Sequence, residues 1–256
     1  RCIEEMYKDM PYGLYKYGYI EDLESITGQD LYNYYQTMIA ECKIDIFVSG
    51  NISEVQRIVE QNENIQKLQQ REPNYKLNGI ESKQEVKEKE VIEEMEVTQG
   101  KLIIGLDLYL KNEEQKYDAM LYNAILGGTA NSKMFQEVRE KASLAYTAGS
   151  SYVRYKSNIF IKCGIEIKNY EKAMEIIRKQ LEDMKNGVFT DEDIENAKKG
   201  IISGIKAIDD EQDTEITYFF GQELTGSKTS LEEYIEKIQK VCKDDIIKIA
   251  NSININ

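Results

Sequence analysis

The feature that most constrains the fold is the strict alternation of apolar residues in two stretches of the chain. Every second residue is apolar from 159 to 167, and the same spacing runs from 104 to 110. Alternation of this kind is typical of strands with one covered face, so it favours an antiparallel sheet over a doubly wound parallel one. A further strand is predicted to begin at Leu144 and to turn around residues 156–158 into the second stretch.

Helical periodicity surrounds these strands. Apolar residues recur at helical spacing from Tyr117 to the pair Gly127-Gly128 and from Tyr170 to Met184, and Thr190 can cap a helix that continues through Ile205. Three more helical segments are predicted around 216–224, 231–238 and 245–250. We therefore predict an α+β fold, with a mainly antiparallel sheet and helices packed on one face.

The beginning of the chain is predicted to form a smaller, separate unit. PYG at 11–13 indicates a turn, a helix begins near Ile26-Thr27, and the apolar residues at 44, 46 and 48 alternate as a strand. Residues 61–90 are rich in Gln, Glu, Lys and Asn, which is typical of a linker. The predicted domains are 1–60, a linker at 61–90, and a second domain at 91–256.

A short internal similarity supports two related units. Residues 23–35 resemble residues 235–250 when Asp30 is placed on Asp245, although two unrelated amphipathic helix pairs would look similar. The strand at Ile44 begins 14 residues after Asp30 (44 − 30), which places its equivalent near residue 259 (245 + 14). The sequence ends at 256, so the second domain is expected to lack its last strand.

Charge and composition exclude several classes of partner. The net charge of −13, from 46 acidic and 33 basic residues, disfavours nucleic acid and anionic membrane surfaces. No apolar run approaches the roughly 18 residues of a membrane span, and the start, RCIEEMYKDM, resembles the interior of a longer protein. Four dispersed cysteines without a C-x-x-C pair indicate free thiols, so a cytoplasmic location is expected.

The absence of histidine restricts the chemistry most. The chain contains no histidine, which excludes a Ser-His-Asp triad, a Cys-His dyad and any zinc site built on histidine. We therefore assign no catalytic residue and no metal ligand to this chain.

Two candidate sites have simpler explanations. Gly127-Gly128-Thr129 lacks the Lys-Ser/Thr pair of a phosphate-binding loop and is better explained as the end of one helix before the cap of the next. The acidic residues between Asp209 and Asp213 lack the glycine and terminal glutamate of a calcium loop, so a solvated helix start is favoured.

Arg139 and Tyr146 are the candidate binding residues. Asn131 or Ser132 can cap a short helix that runs through Arg139, and Tyr146 lies near the start of the following strand. A guanidinium and a phenol at one end of a sheet could bind a peptide carbonyl and its developing oxyanion. Alternatively, Arg139 is a surface charge paired with Glu137 or Glu140, and Tyr146 is a half-buried strand residue.

A family resemblance bears on this choice. The block LGGTANSKMFQEVREKASLAY at 126–146 resembles the second homologous domain of the pitrilysin or insulinase family of zinc peptidases, which includes mitochondrial processing peptidases. The REK of 139–141 and the LAY of 144–146 have the family's spacing. Residues 1–60, with PYG and IDIFVSGN at 44–51, resemble the tail of the preceding domain.

The resemblance implies a function for the whole block. In active members the zinc motif H-x-x-E-H belongs to the first domain, so zinc is expected in an N-terminal domain outside this chain. Arg139 and Tyr146 would then bind peptide substrate, and the chain alone would be inactive. Two alternatives stay open: a non-catalytic partner subunit that pairs with a homologous subunit, and an acidic adaptor domain that only binds another protein.

Overall fold

The computed structural model describes residues 1–51, 53–69 and 90–253, and the chain divides into two compact units. Unit 1 comprises Arg1–Gly13, Glu85–Ala207 and Thr229–Asn256, whereas unit 2 comprises Leu14–Gln84 and Ile208–Lys228. Both units are therefore built from separated stretches of sequence. The domain boundaries expected at residues 60 and 90 stay a prediction, and most of the expected linker lies outside the described residues.

Unit 1 contains a three-stranded antiparallel sheet with the strand order β1-β3-β2. Its strands are β1 (Gly100–Asp107), β2 (Ala145–Val153) and β3 (Asn158–Ile165). The central strand β3 brings Cys163 opposite Leu102 on one side and Ala148 on the other. The α+β fold with a mainly antiparallel sheet is confirmed, and β2 and β3 are joined by the predicted turn.

Helices make up most of the remaining described chain. The α-helices are α1 (Cys2–Met6), α2 (Ile20–Leu23), α3 (Gly28–Glu41), α4 (Val55–Glu60), α5 (Glu63–Gln69), α6 (Gln115–Asn123), α7 (Tyr170–Lys185), α8 (Asp191–Lys206), α9 (Gln212–Thr225), α10 (Leu231–Lys240) and α11 (Lys243–Ser252). Two π-helices cover Ala124–Gly128 and Phe135–Lys141, and three short 3₁₀ turns cover Pro11–Gly13, Ile167–Asn169 and Ile208–Asp210. Helices α2 to α5 and α9 belong to unit 2.

The core of unit 1 combines one face of the sheet with the apolar stripes of its helices. Ile159 and Ile161 of β3 are fully buried, as are Leu121 of α6, Ile177 of α7 and Ile249 of α11. Local signals agree with this packing. For example, Thr190 and Asp193 form a capping box at the start of α8, as the sequence predicts.

The prediction of a strand at residues 44–48 is wrong, because this segment pairs with no other strand in the described part of the chain. Ile44, Ile46 and Val48 are 38–50% exposed. Alternating apolar and polar residues indicate a segment with one apolar and one polar face. A strand also needs a neighbouring strand whose backbone completes its hydrogen bonds. Unit 2 supplies no such neighbour from its described residues.

The internal similarity is preserved at the helix starts. Asp30 and Asp245 both close capping boxes, in which their carboxylates accept hydrogen bonds from the backbone N–H of Thr27 and Cys242 at 2.9 and 3.2 Å. After α11, Ile253 forms an antiparallel bridge with Leu108, six residues before the position expected from the repeat (259 − 253). A missing last strand in the second domain stays a prediction.

Candidate functional site

The glycine pair allows close packing against β2. Gly127 lies so close to this strand that a Cβ atom on it would be 2.4 Å from the backbone nitrogen of Ser150. A Cβ on Gly128 would lie 2.9 Å from the side-chain nitrogen of Asn123. Gly128 is also the last residue of the first π-helix, so the two glycines end a helix and admit a strand. This arrangement explains them without a bound phosphate.

The second π-helix positions Arg139. Its end is defined by Ser143, whose φ of 53° lies in the left-handed region, and by hydrogen bonds from Ser143 to Arg139 and from Leu144 to Val138. These hydrogen bonds end the helix directly before β2. π-Helices are rare and frequently occur at functional sites. Arg139 is consequently held at the entry to the strand that carries Tyr146.

The Arg139 side chain is partly engaged and partly open to solvent. Its guanidinium carbon lies 4.5 Å from the centroid of the Phe135 ring, and its Nε lies 3.6 Å from a carboxylate oxygen of Glu140. The side chain is still 39% exposed. The ion pair is long and solvent-exposed, so it contributes little and leaves the guanidinium available. Glu137, the other expected partner, forms its ion pair with Lys141 at 2.6 Å.

Tyr146 lies at a β-bulge. Ala145 pairs with Ile165 and Thr147 pairs with the next residue, Gly164, so Tyr146 is the extra residue of β2. A bulge interrupts the ladder and redirects a side chain, and bulges are common next to active sites. The tyrosine side chain is 76% exposed, in contrast to the half-buried position of the simpler explanation. The alternation pattern gave no signal of this bulge.

Both candidate residues therefore lie at the N-terminal end of β2, with Arg139 before the strand and Tyr146 within it. Helix and strand are connected by only three residues, Ala142 to Leu144. That their polar ends share one cleft stays a prediction, since it depends on the directions of two exposed side chains.

The described parts of unit 1 and unit 2 contain no cluster of metal-ligating side chains. No group of three or more Cys, Asp or Glu residues is arranged to hold a metal ion there. All four cysteines are free, and burial raises the pKa of the Cys163 thiol to about 11. Asp209 and Asp213 are exposed beside the start of α9.

Each described helix is too short or too polar to cross a membrane.

Comparison with known sequences identifies the family. The family model described as "Peptidase M16 inactive domain" matches residues 25–201. A Bacillus subtilis protein named "Probable inactive metalloprotease YmfF" is 35% identical over all of this chain and 60% of its own length. A second Bacillus subtilis protein, named "Uncharacterized zinc protease YmxG", is 25% identical over 97% of this chain and 64% of its own length. The chain thus spans about three fifths of these relatives.

Solved structures share the fold. A conserved protein from Enterococcus faecalis is 26% identical, with a TM-score of 0.79 over 98% of this chain and 60% of its own. The "peptidase M16 inactive domain" from Pseudomonas fluorescens, at 16% identity, has a TM-score of 0.72 over 96% of this chain and 60% of its own. The resemblance to the pitrilysin or insulinase family is confirmed, and the chain belongs to the M16 peptidase family, in its non-catalytic domain.

Proposed function

We propose that this chain is the substrate-binding, non-catalytic portion of an M16 zinc peptidase that cleaves peptides. In this proposal Arg139 and Tyr146 contact the peptide backbone, and the hydrolytic zinc is held by an N-terminal domain outside the chain. Zinc would supply an activated water there. The residues of this chain do not fit the ion, because it has no histidine and its described residues offer no acidic or thiol cluster.

The bulge at Tyr146 is the observation that carries the proposal. A large aromatic side chain that is 76% exposed on a strand gains little from burial, and a bulge interrupts the ladder that otherwise stabilises the sheet. Both features are accounted for if the phenol contacts a ligand. Tyrosine and arginine are also among the side chains most enriched where binding energy concentrates.

A large apolar surface on unit 2 supports a partner for the intact protein. No apolar side chain of unit 2 is buried within the described residues, and α3 exposes Leu31, Tyr32, Tyr34 and Tyr35 by 50–70% each. Large exposed apolar patches mark interaction sites. We assign this surface to the N-terminal domain of the same protein, which would also supply a strand neighbour for residues 44–48.

A second candidate function is a non-catalytic subunit that pairs with a homologous active subunit. The name of the relative that is 35% identical, an inactive metalloprotease, favours this candidate. In that case the homologous subunit, rather than an N-terminal domain with zinc, would cover unit 2. The four free cysteines support a cytoplasmic location for either form.

Peptide binding by the full chain tests the proposal. A fluorescein-labelled, unstructured peptide without charged side chains is titrated with the chain, and fluorescence anisotropy reports binding. We expect Arg139→Ala and Tyr146→Ala each to weaken binding about fivefold or more, as for residues that contribute over 1 kcal/mol.

Matched controls separate this effect from general surface changes. Arg178→Ala on α7 and Tyr155→Ala in the β2–β3 turn remove the same residue types elsewhere in unit 1. Their affinities should equal that of the unaltered chain. Equal losses of affinity in the test and control variants, or no loss in the Arg139 and Tyr146 variants, would show that these residues are ordinary surface side chains.

A further inference from the structure

The segment from Phe135 to Thr147 departs from regular backbone geometry three times. It begins with the second π-helix, Ser143 then has a φ of 53° in the left-handed region, and Tyr146 is the extra residue of the bulge. Left-handed backbone is unfavourable for a residue other than glycine, and such departures cluster where a site must hold its side chains in one arrangement. All three departures lie in the segment that carries both candidate binding residues.

The backbone on either side of Arg139 is anchored. Its carbonyl accepts a hydrogen bond from the Ser143 N–H at 3.1 Å. Met134 and Val138 are fully buried, and Phe135 and Arg139 directly follow them in the sequence. The core contacts of the first pair therefore fix the two positions from which the phenyl ring and the guanidinium extend.

Two contacts define the direction of the Arg139 guanidinium. Its central carbon lies over the Phe135 ring, 4.5 Å from the centroid, and its Nε lies 3.6 Å from a carboxylate oxygen of Glu140. The terminal nitrogens Nη1 and Nη2 form no hydrogen bond or ion pair with a residue that the structure describes. The ring therefore supports one side of the guanidinium, and the outer edge with the terminal N–H groups stays open.

The ring is the stronger of these two contacts. An exposed ion pair at 3.6 Å contributes little, because water screens the charges and both long side chains lose freedom. Arginine, in contrast, stacks well on aromatic rings, because its planar charge is weakly hydrated. Phe135 is half-buried, whereas the Glu140 side chain is 51% exposed. The direction of the guanidinium consequently depends mainly on Phe135.

We propose that Phe135 is a positioning residue, whose ring holds the terminal N–H groups of Arg139 ready to bind a peptide carbonyl. The inference rests on the proposed function and adds the residue that prepares its site. An arginine that is free to reorient loses this freedom on binding, which weakens affinity. Stacking raises the fraction of molecules in which Arg139 is already oriented, and the apparent affinity rises with that fraction.

Peptide binding by variants of the full chain tests the inference, with the neutral labelled peptide and fluorescence anisotropy. Phe135→Leu keeps an apolar side chain but removes the ring, so we expect binding to weaken about threefold, as for the loss of an exposed cation–π contact. Phe135→Tyr keeps the ring and should bind like the unaltered chain. Phe219→Leu, which removes a partly exposed ring from α9, is the matched control and should also leave the affinity unchanged.

A double-variant cycle separates positioning from a structural role. If the ring acts through the guanidinium, the double variant Phe135→Leu/Arg139→Ala should bind as weakly as Arg139→Ala alone. An equal threefold loss from Phe135→Leu in both backgrounds overturns the inference, because the ring would then act on the peptide directly or through the fold.

Proton NMR of the chain without peptide gives a readout that does not depend on the ligand. The ring current of Phe135 should shift the Arg139 side-chain resonances upfield; this shift should vanish in Phe135→Leu and persist in Phe135→Tyr. Arg139 resonances at their ordinary positions in the unaltered chain overturn the inference. If binding depends on Arg139 but not on Phe135, the inference fails and the proposed function survives; if the chain binds no peptide, both fail.

Discussion

At the scale of single residues, Arg139 and Tyr146 differ in how strongly their surroundings hold them. Arg139 is stacked on Phe135, whereas the Tyr146 hydroxyl makes no hydrogen bond with any described residue. The guanidinium is therefore oriented before a ligand arrives, and the phenol is free to reorient. Loss of Arg139 should consequently affect affinity partly through orientation, and loss of Tyr146 through direct contact.

Asp118 on α6 is a carboxyl group whose surroundings disfavour its charged form. Burial on α6, together with the nearby carboxylates of Asp245 and Glu114, raises the pKa of Asp118 to about 6, and Lys248 offsets part of this effect. A raised pKa means that the folded chain binds the proton more tightly than the unfolded chain. Stability is therefore lost as the pH rises from about 4 to about 6.

Asp118→Asn should remove this loss of stability, because asparagine carries no charge at any pH. The shift of about two pKa units corresponds to roughly 3 kcal/mol, which solvent screening at this partly exposed position reduces to about 1 kcal/mol. We expect urea unfolding at pH 7.5 to show a gain of about 1 kcal/mol and at pH 4 to show none. A loss of stability at both pH values would contradict the assigned cause.

At the scale of elements, the contact between the first π-helix and β2 depends on Gly127. The clash that a Cβ would make there is with backbone, which cannot rotate away. Gly127→Ala should therefore lower the free energy of unfolding by about 1–3 kcal/mol. Gly200→Ala in α8 is the matched control, because nothing lies within 4 Å of its Cβ position. That change should stabilise by about 0.5–1 kcal/mol in the same denaturation experiment, and equal effects would refute this packing.

Sequence patterns predicted the elements that local physics determines. Alternation located β1 and β3, and Thr190 marked the start of α8, because burial on one face and capping are local requirements. The strand at 44–48 failed because pairing needs a neighbour that a local pattern does not reveal. The π-helical winding and the bulge at Tyr146 were also missed, since each inserts one residue without changing the apolar spacing around it.

At the scale of the whole molecule, the two units differ in how much apolar surface they bury. Unit 1 contains every buried apolar side chain among the described residues, so its global stability should exceed that of unit 2. Amide hydrogen exchange should show this difference, because local opening is easiest where few apolar contacts hold the backbone.

We expect amides of α3 to exchange about a hundredfold faster than those of β3, a difference of about 2.7 kcal/mol in opening free energy. Mass spectrometry of proteolytic fragments resolves the two elements. Protection of α3 should rise when the N-terminal domain or a homologous subunit is added. Uniform protection of α3 and β3 in the isolated chain would contradict the assignment of the α3 surface to a partner.

The proposed function predicts that this chain binds peptide substrates and does not cleave them. One sample tests it most directly: the chain is incubated with the labelled unstructured peptide, anisotropy reports binding, and mass spectrometry reports the peptide's mass. We expect a bound peptide of unchanged mass, with binding that Tyr146→Ala weakens about fivefold or more. Chelator-sensitive cleavage by the chain alone, or no binding at all, would contradict it.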